Sequence, residues 1–272
     1  MFRAKKAFGQ NFLLDHNIAD KIVNSAELSK GDFVWEIGSG KGILTERIIK
    51  TGAELTCFEI DRELCQYLKN TFGEEIKLIE GDVLESDWSA LYRVYNTSRK
   101  ITLIANIPYN ITSPILYKLA EHHDIFDRII LMIQKEVEEK LSSKPGAKNY
   151  GFLTLKTRFY FDLLKLMKVP AHLFSPRPKV DSVVISLEPR KDFIKLENEK
   201  LYWQIITATF QTRRKTLRNS LSLIANREEI TALDRMISAN SSLNFSLNSR
   251  GETLDEEDFI TLYNLISGLR NS

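Results

Sequence analysis

The sequence predicts an α/β fold, a mostly parallel sheet with helices on both faces, followed by a small all-helical C-terminal domain. Three observations carry this reading. Short apolar runs alternate with stretches of helical spacing up to about residue 145. The first apolar run enters a glycine-rich turn, and beyond Pro189 every periodic segment reads as helix.

The elements follow in order. A helix is expected from about Asn17 to Leu28, then a buried strand Phe33–Ile37, the turn Gly38-Ser39-Gly40-Lys41-Gly42, and a helix from Ile43 to Ile49. Further strands are expected at Leu55–Asp61, Ile76–Asp82, Ile101–Ala105 and Arg128–Ile133, the last followed by a helix from Gln134 to Ser142. Residues 143–149 are polar and turn-rich, the composition of a loop able to move over a site. After a helix near Leu153 to Phe161, the runs Leu163–Val169 and Ser182–Leu187 have no long helix between them, so they pair antiparallel and finish the sheet. Glu188-Pro189-Arg190-Lys191-Asp192 marks a boundary, giving domains 1–190 and 191–272. In the second domain Ile206, Phe210, Leu217, Leu221 and Ile224 are expected on one helical stripe, with Arg214, Lys215 and Arg218 on another.

With 272 residues, 43% apolar and 27% charged, the chain can bury one large core and a smaller one. The net charge is only +2, but its distribution is uneven. Arg3, Lys5 and Lys6 near the start, and Arg213, Arg214, Lys215 and Arg218, occur in stretches without an acid, the local patches to which backbone phosphates respond. An ordinary solvated helix face would normally mix signs at i,i+4. Cys57 and Cys65 lack the companions a metal site needs, so reduced thiols and no metal are expected. No signal-peptide core and no membrane-length apolar run is visible, which points to a cytoplasmic protein away from the membrane.

The chemistry concentrates at strand ends. Glycines after the first strand let the backbone approach a ligand closely. Glu59, about 20 residues on, is placed to hold ribose hydroxyls, and Asp82 to receive an adenine amino group. Asn106-Ile107-Pro108-Tyr109 joins an amide, a carbonyl ahead of proline and an aromatic ring, a set that suits an exocyclic amino group on a flat base. A nicotinamide dehydrogenase shares the glycine turn and the ribose acid. Against it, Ile43 replaces the last small residue of the dinucleotide fingerprint, and Glu36 adds an acid where a cation would be welcome. Acids suit S-adenosylmethionine, which has a sulfonium and an ammonium and no phosphate. A methyltransferase is therefore favoured.

Gly9-Gln10-Asn11-Phe12-Leu13, Glu36-Ile37-Gly38-Ser39-Gly40, Asn106–Ile111, Gln134-Lys135-Glu136-Val137, Tyr150-Gly151, Phe174–Ser182 and Arg213–Asn219 together resemble the KsgA rRNA adenine dimethyltransferases, nearly end to end. The resemblance implies a Rossmann-like class I methyltransferase with a seven-stranded sheet. It also implies dimethylation at N6 of two adjacent adenosines in a hairpin near the 3′ end of small-subunit (16S) rRNA, on free RNA or a precursor of the small ribosomal subunit. Asn11, Leu13, Gly38, Glu59, Asp82 and Asn106 take the cofactor-contact positions, flanked by Glu36 and Gly40. Asn106, Ile107, Pro108 and Tyr109 would receive the base, with Phe174 as a second stacking face opposite Tyr109, unless Phe174 is core. Lys5, Lys6, Arg213, Arg214, Lys215 and Arg218 are the expected RNA contacts, and the protein is expected to act as a monomer. A large-subunit rRNA adenine methyltransferase of the antibiotic-resistance type, a non-catalytic ribosome-assembly factor and a dehydrogenase remain as alternatives.

Overall fold

A computed structural model describes residues 4–5, 8–94 and 99–271. The chain divides into two compact units, residues 1–138 with 160–191, and residues 139–159 with 192–272.

The first unit is built on a seven-stranded sheet. Its strands are β2 (Phe33–Ile37), β3 (Glu54–Glu59), β4 (Ile76–Glu80), β5 (Ile101–Asn106), β6 (Phe126–Gln134), β7 (Phe161–Val169) and β9 (Ser182–Pro189). They lie in the order β4-β3-β2-β5-β6-β9-β7. Neighbours are parallel from β4 through β6, while β9 runs antiparallel to both β6 and β7, so the sheet closes as the missing helix implies. Its helices include α1 (His16–Asn24), α2 (Thr45–Lys50), α3 (Arg62–Phe72), α4 (Trp88–Arg93) and α5 (Thr112–Glu121). Helix α1 is shorter than its apolar pattern suggests; Asp15 caps its start by accepting the Ile18 N–H, and the chain leaves the helix at Ser25.

Alternation along β2 sends Trp35 into an aromatic cluster with Phe58, Trp88 and Phe126, at centroid separations of 5.2 to 5.9 Å. Val34 packs on the other face with Ile22, Val23, Ile48, Ile104 and Ile130. Both faces of the parallel sheet are thus covered, as buried parallel strands require.

A second, two-stranded sheet escapes the periodicity of the sequence. Strand β1 (Phe12–Leu13) pairs antiparallel with β8 (Phe174–Ser175), matching Phe12 with Ser175 and Leu13 with Phe174. Two residues per strand are too few to show alternation.

The second unit contains α8 (Glu199–Gln211), α9 (Leu217–Leu221), α10 (Arg227–Ala239) and α11 (Glu256–Asn271). Residues 139–159, expected in the first domain, group with these helices. Long-range bonds explain it: the Tyr150 hydroxyl donates to the Leu254 carbonyl at 2.8 Å, the Gly146 N–H donates to the Glu252 carbonyl at 2.7 Å, and the Phe159 and Tyr202 rings lie 5.0 Å apart. The 143–149 loop is bonded within this unit, through the Gly146 N–H and through the Ala147 and Lys148 carbonyls, which accept from Arg213. Helices α6 (Lys135–Leu141) and α7 (Phe152–Tyr160) bracket it.

The single stripe expected across 206–224 is broken. Helix α8 stops at Gln211, where Thr212 bonds back to the Ala208 carbonyl and leaves helical geometry. The chain restarts only at Leu217, whose N–H donates to the Ser249 carbonyl at 2.8 Å.

Candidate active site

The strand order reverses between β2 and β5, and the crevice beyond the carboxyl ends of such strands is where an open α/β sheet binds ligands. A cavity of about 330 Å³ lies there, walled by the ends of β2, β3, β4 and β5. Gly38, Glu59, Asp82 and Asn106 each represent one strand.

The turn after β2 favours glycine at Gly38 through its backbone, φ +73°, since a Cβ there would make only an ordinary 3.5 Å contact with the Asn106 carbonyl oxygen. Gly40, at φ +58°, donates its N–H to Glu59 Oε2 at 2.9 Å, which ties the turn to the end of β3. The other Glu59 oxygen accepts the Ile60 and Asp61 N–H groups at 3.0 and 2.9 Å. Burial raises the Glu59 pKa despite these bonds.

Asp82 Oδ1 accepts the Leu84 N–H at 2.8 Å. The cavity wall therefore carries two carboxylates, and among the described residues that line it there is no Lys, Arg or His.

Asn106 donates Nδ2 to the Asn11 carbonyl at 3.3 Å, which assigns the amide orientation and leaves Oδ1 as an acceptor. The Tyr109 hydroxyl shares a 2.8 Å hydrogen bond with Ser182 Oγ, and its ring lines the cavity. Burial raises the Tyr109 pKa, so the phenol stays protonated at neutral pH.

Residues 8–12 form one wall as a strap across the crevice. Gly9 lies so close to Asn110 that a Cβ would meet its Oδ1 at 2.6 Å. Asp61 anchors the strap, accepting from Lys5 Nζ at 2.7 Å and Gln10 Nε2 at 3.0 Å, while it also caps α3. Sequence pattern assigns no role to Gln10, Asp61 or Ser182. A signal for Asp61 is nevertheless present, since an Asp immediately before a helical pattern is an N-cap.

A model of the ribosomal RNA adenine dimethylase family matches residues 1–262. The chain belongs to the ribosomal RNA adenine dimethylase family. It is 40% identical over 271 residues to the Ribosomal RNA small subunit methyltransferase A of Syntrophotalea carbinolica, covering 97% of each chain. It is 39% identical over 270 residues to the protein of the same name from Lachnoclostridium phytofermentans, covering 97% of this chain and 92% of that one. Among solved structures, a dimethyladenosine transferase from Plasmodium falciparum superposes with a TM-score of 0.74 at 27% identity, covering 94% of this chain and 98% of that one. The 23S rRNA methyltransferase ErmE shares the fold, with a TM-score of 0.68 at 23% identity, covering 94% of this chain and 100% of that one. The chain is therefore a class I methyltransferase of the rRNA adenine dimethylase family.

Within this dimethylase, the sequence-predicted site residues separate into two groups. Asn11, Gly38, Gly40, Glu59, Asp82, Asn106, Ile107, Pro108 and Tyr109 all line the cavity. Leu13, Glu36 and Phe174 do not. Leu13 and Phe174 face each other across the β1–β8 pair, each 4% exposed, in the core cluster with Val169 and Met132, so Phe174 is core here and not a face opposite Tyr109. Glu36 points away from the cavity because alternation along β2 sends it to the α2 side, where it accepts from Thr45 Oγ1 at 2.6 Å and Cys57 Sγ at 3.5 Å. Burial pushes its pKa up to about 7.

The basic residues separate as well. Lys5 is committed to Asp61 and Glu63. Arg213 pairs with Glu252 and donates to the Lys148 and Ala147 carbonyls at 2.6 and 2.9 Å. Arg218 pairs with Asp234 at 2.7 Å. The balancing acids are distant in sequence, which is why the run looks unbalanced there. Arg214 and Lys215 are exposed, in the turn after α8 and not on a helix face. Lys6 and Arg3 lie outside the described residues.

Proposed function

We propose that this dimethylase takes methyl groups from S-adenosylmethionine and places two on N6 of each of two adjacent adenosines in a hairpin near the 3′ end of small-subunit rRNA. A precursor of the small subunit in the cytoplasm is the substrate that fits this reading. The observation that carries it is Asn106, an amide at the switch point whose nitrogen is held by Asn11 and whose oxygen is left to accept.

The cavity fits the donor. Two acids and, among the described lining residues, no cation suit a sulfonium and an ammonium better than a pyrophosphate, which favours the methyl donor over a nicotinamide cofactor. When bound, the donor supplies an activated methyl group and its leaving group. The chain's part is alignment. Adenine N6 is a weak nucleophile because its lone pair is conjugated with the ring. Asn106 Oδ1 and the Ile107 carbonyl accept its two N–H bonds, which favours a pyramidal nitrogen with a free lone pair. Tyr109 stacks on the flipped base, its ring fixed by the bond to Ser182. With alignment provided, the displaced proton needs no perturbed base, and the described cavity lining offers no histidine for one. Arg214 and Lys215 contact RNA phosphates and position the hairpin without reading its sequence.

Incubation of the enzyme with labelled S-adenosylmethionine and undermethylated small or large ribosomal subunits tests this reading. Label recovered as N6,N6-dimethyladenosine in small-subunit RNA is expected. Label confined to large-subunit RNA, or no label in either, would overturn it.

A further inference from the structure

Lys118 lies near the end of α5, half-buried, with its ammonium against the turn that follows β4. Nζ donates to the carbonyls of Leu84 and Ser86, each at 2.6 Å, and stands 5.0 Å from the centre of the Trp88 ring. The turn is organised from within by Asp82. Its carboxylate accepts the Leu84 N–H, and its carbonyl accepts the Glu85 N–H at 3.1 Å and the Ser86 hydroxyl at 3.3 Å. Lys118 holds the same turn from the α5 side.

That places one cation between two cavity walls. Gly81, Asp82 and Val83 form the wall at the end of β4. Asn106 to Ile111 form the wall at the end of β5, and α5 continues directly from it. Burial draws the Lys118 pKa down against the pull of Glu121, Asp82 and Asp87, the mark of an ammonium partly removed from water and dependent on its carbonyl partners.

We propose that Lys118 is a positioning residue, a strut that keeps Asp82 in place for the nucleoside end of the methyl donor. The inference rests on reading the cavity as the donor site. With Oδ1 held by Leu84, Asp82 presents Oδ2 to an adenine amino group, and the strut prevents the turn from relaxing away from that geometry. Its effect belongs to donor affinity and not to the transfer step, which the Asn106 wall governs.

Titration with S-adenosylhomocysteine of the wild type, Lys118→Met, Lys118→Arg, Asp82→Asn and the Lys118→Met/Asp82→Asn double variant tests it. Lys118→Met should raise Kd about tenfold, and Lys118→Arg, which can still donate to both carbonyls, should stay within about threefold of wild type. In the Asp82→Asn background the methionine should add less than about twofold, because the residue it acts through is already changed. At saturating S-adenosylmethionine, kcat of Lys118→Met should stay within about twofold of wild type, so that the loss appears in KM for the donor. A wild-type Kd for Lys118→Met, or fully additive losses in the double variant, would overturn the strut. If Lys118→Met does not fold, Lys118→Arg still decides, since a Kd raised as far as that of Asp82→Asn would overturn it. Failure of the wild type itself to bind S-adenosylhomocysteine would remove the reading of the cavity as well.

Discussion

Asn106 carries two obligations on one side chain, a donor bond that fixes it and an acceptor that is left for the base. Replacing it with alanine removes both. Asn106→Ala should lose at least about 100-fold in methyl transfer to small subunits, the scale of losing a preorganised hydrogen-bonding group, while filter binding of RNA persists. Full transfer by this variant would sink the proposed mechanism. Glu36 makes a different prediction. Its folded pKa of about 7 lies above the unfolded value near 4.5, so its contribution to stability is complete below pH 4.5 and is lost as pH rises through 7. Glu36→Gln should therefore gain stability relative to wild type between those values, by up to a few kcal/mol, since each tenfold change in proton affinity is worth about 1.4 kcal/mol. Melting curves across pH 4 to 8 are the check. Asn106 and Tyr109 are legible in the sequence because they are near neighbours at one strand end. Glu36 is not, because sequence shows that an acid is near a glycine turn but not on which side of the strand it falls.

At the scale of elements, the strap and the turn after α8 each turn on where a charge finds its partner. Lys5→Ala combined with Gln10→Ala removes the strap's anchors and leaves Asp61 to cap α3. Hydrogen exchange over residues 8–13 should accelerate and donor binding weaken, and the melting temperature should fall, because the buried Asp61 carboxylate loses two donors; unaltered exchange would point to the β1–β8 pair as the strap's main support. Arg213→Ala should cost about 1–2 kcal/mol of stability by leaving Glu252 and two carbonyls without their donor, discounted for partial exposure. Arg214→Ala with Lys215→Ala should leave stability unchanged and reduce the salt slope of RNA binding by about 1.4–1.8, as expected for two phosphate contacts. Reversal of these two outcomes, read by melting curves and salt titration, would assign the roles the other way. The cluster is visible in the sequence; its division into paired and unpaired cations is not, because Glu252 and Asp234 are contributed by later segments.

At the scale of the whole molecule, local pattern and long-range pairing explain what can be read. The parallel strands announce themselves by apolar runs bounded by turns, and the antiparallel closure follows from the absence of a long helix between β7 and β9. The grouping of residues 139–159 with the second unit depends on Tyr150, Gly146 and Phe159 meeting partners that follow them by tens of residues. No periodicity carries that information. The β1–β8 pair has the same origin and a further consequence. Residues 12–13 leave the ribosome well before their partners, 174–175, which are made only after β2, β3, β4 and β5. A nascent chain can therefore assemble the centre of its sheet, and anchor the strap at Asp61, while β1 still lacks its strand partner. Stalled chains that end before residue 174 should leave β1 unpaired, so the cavity wall at residues 8–12 gains its last support only when that later segment is made.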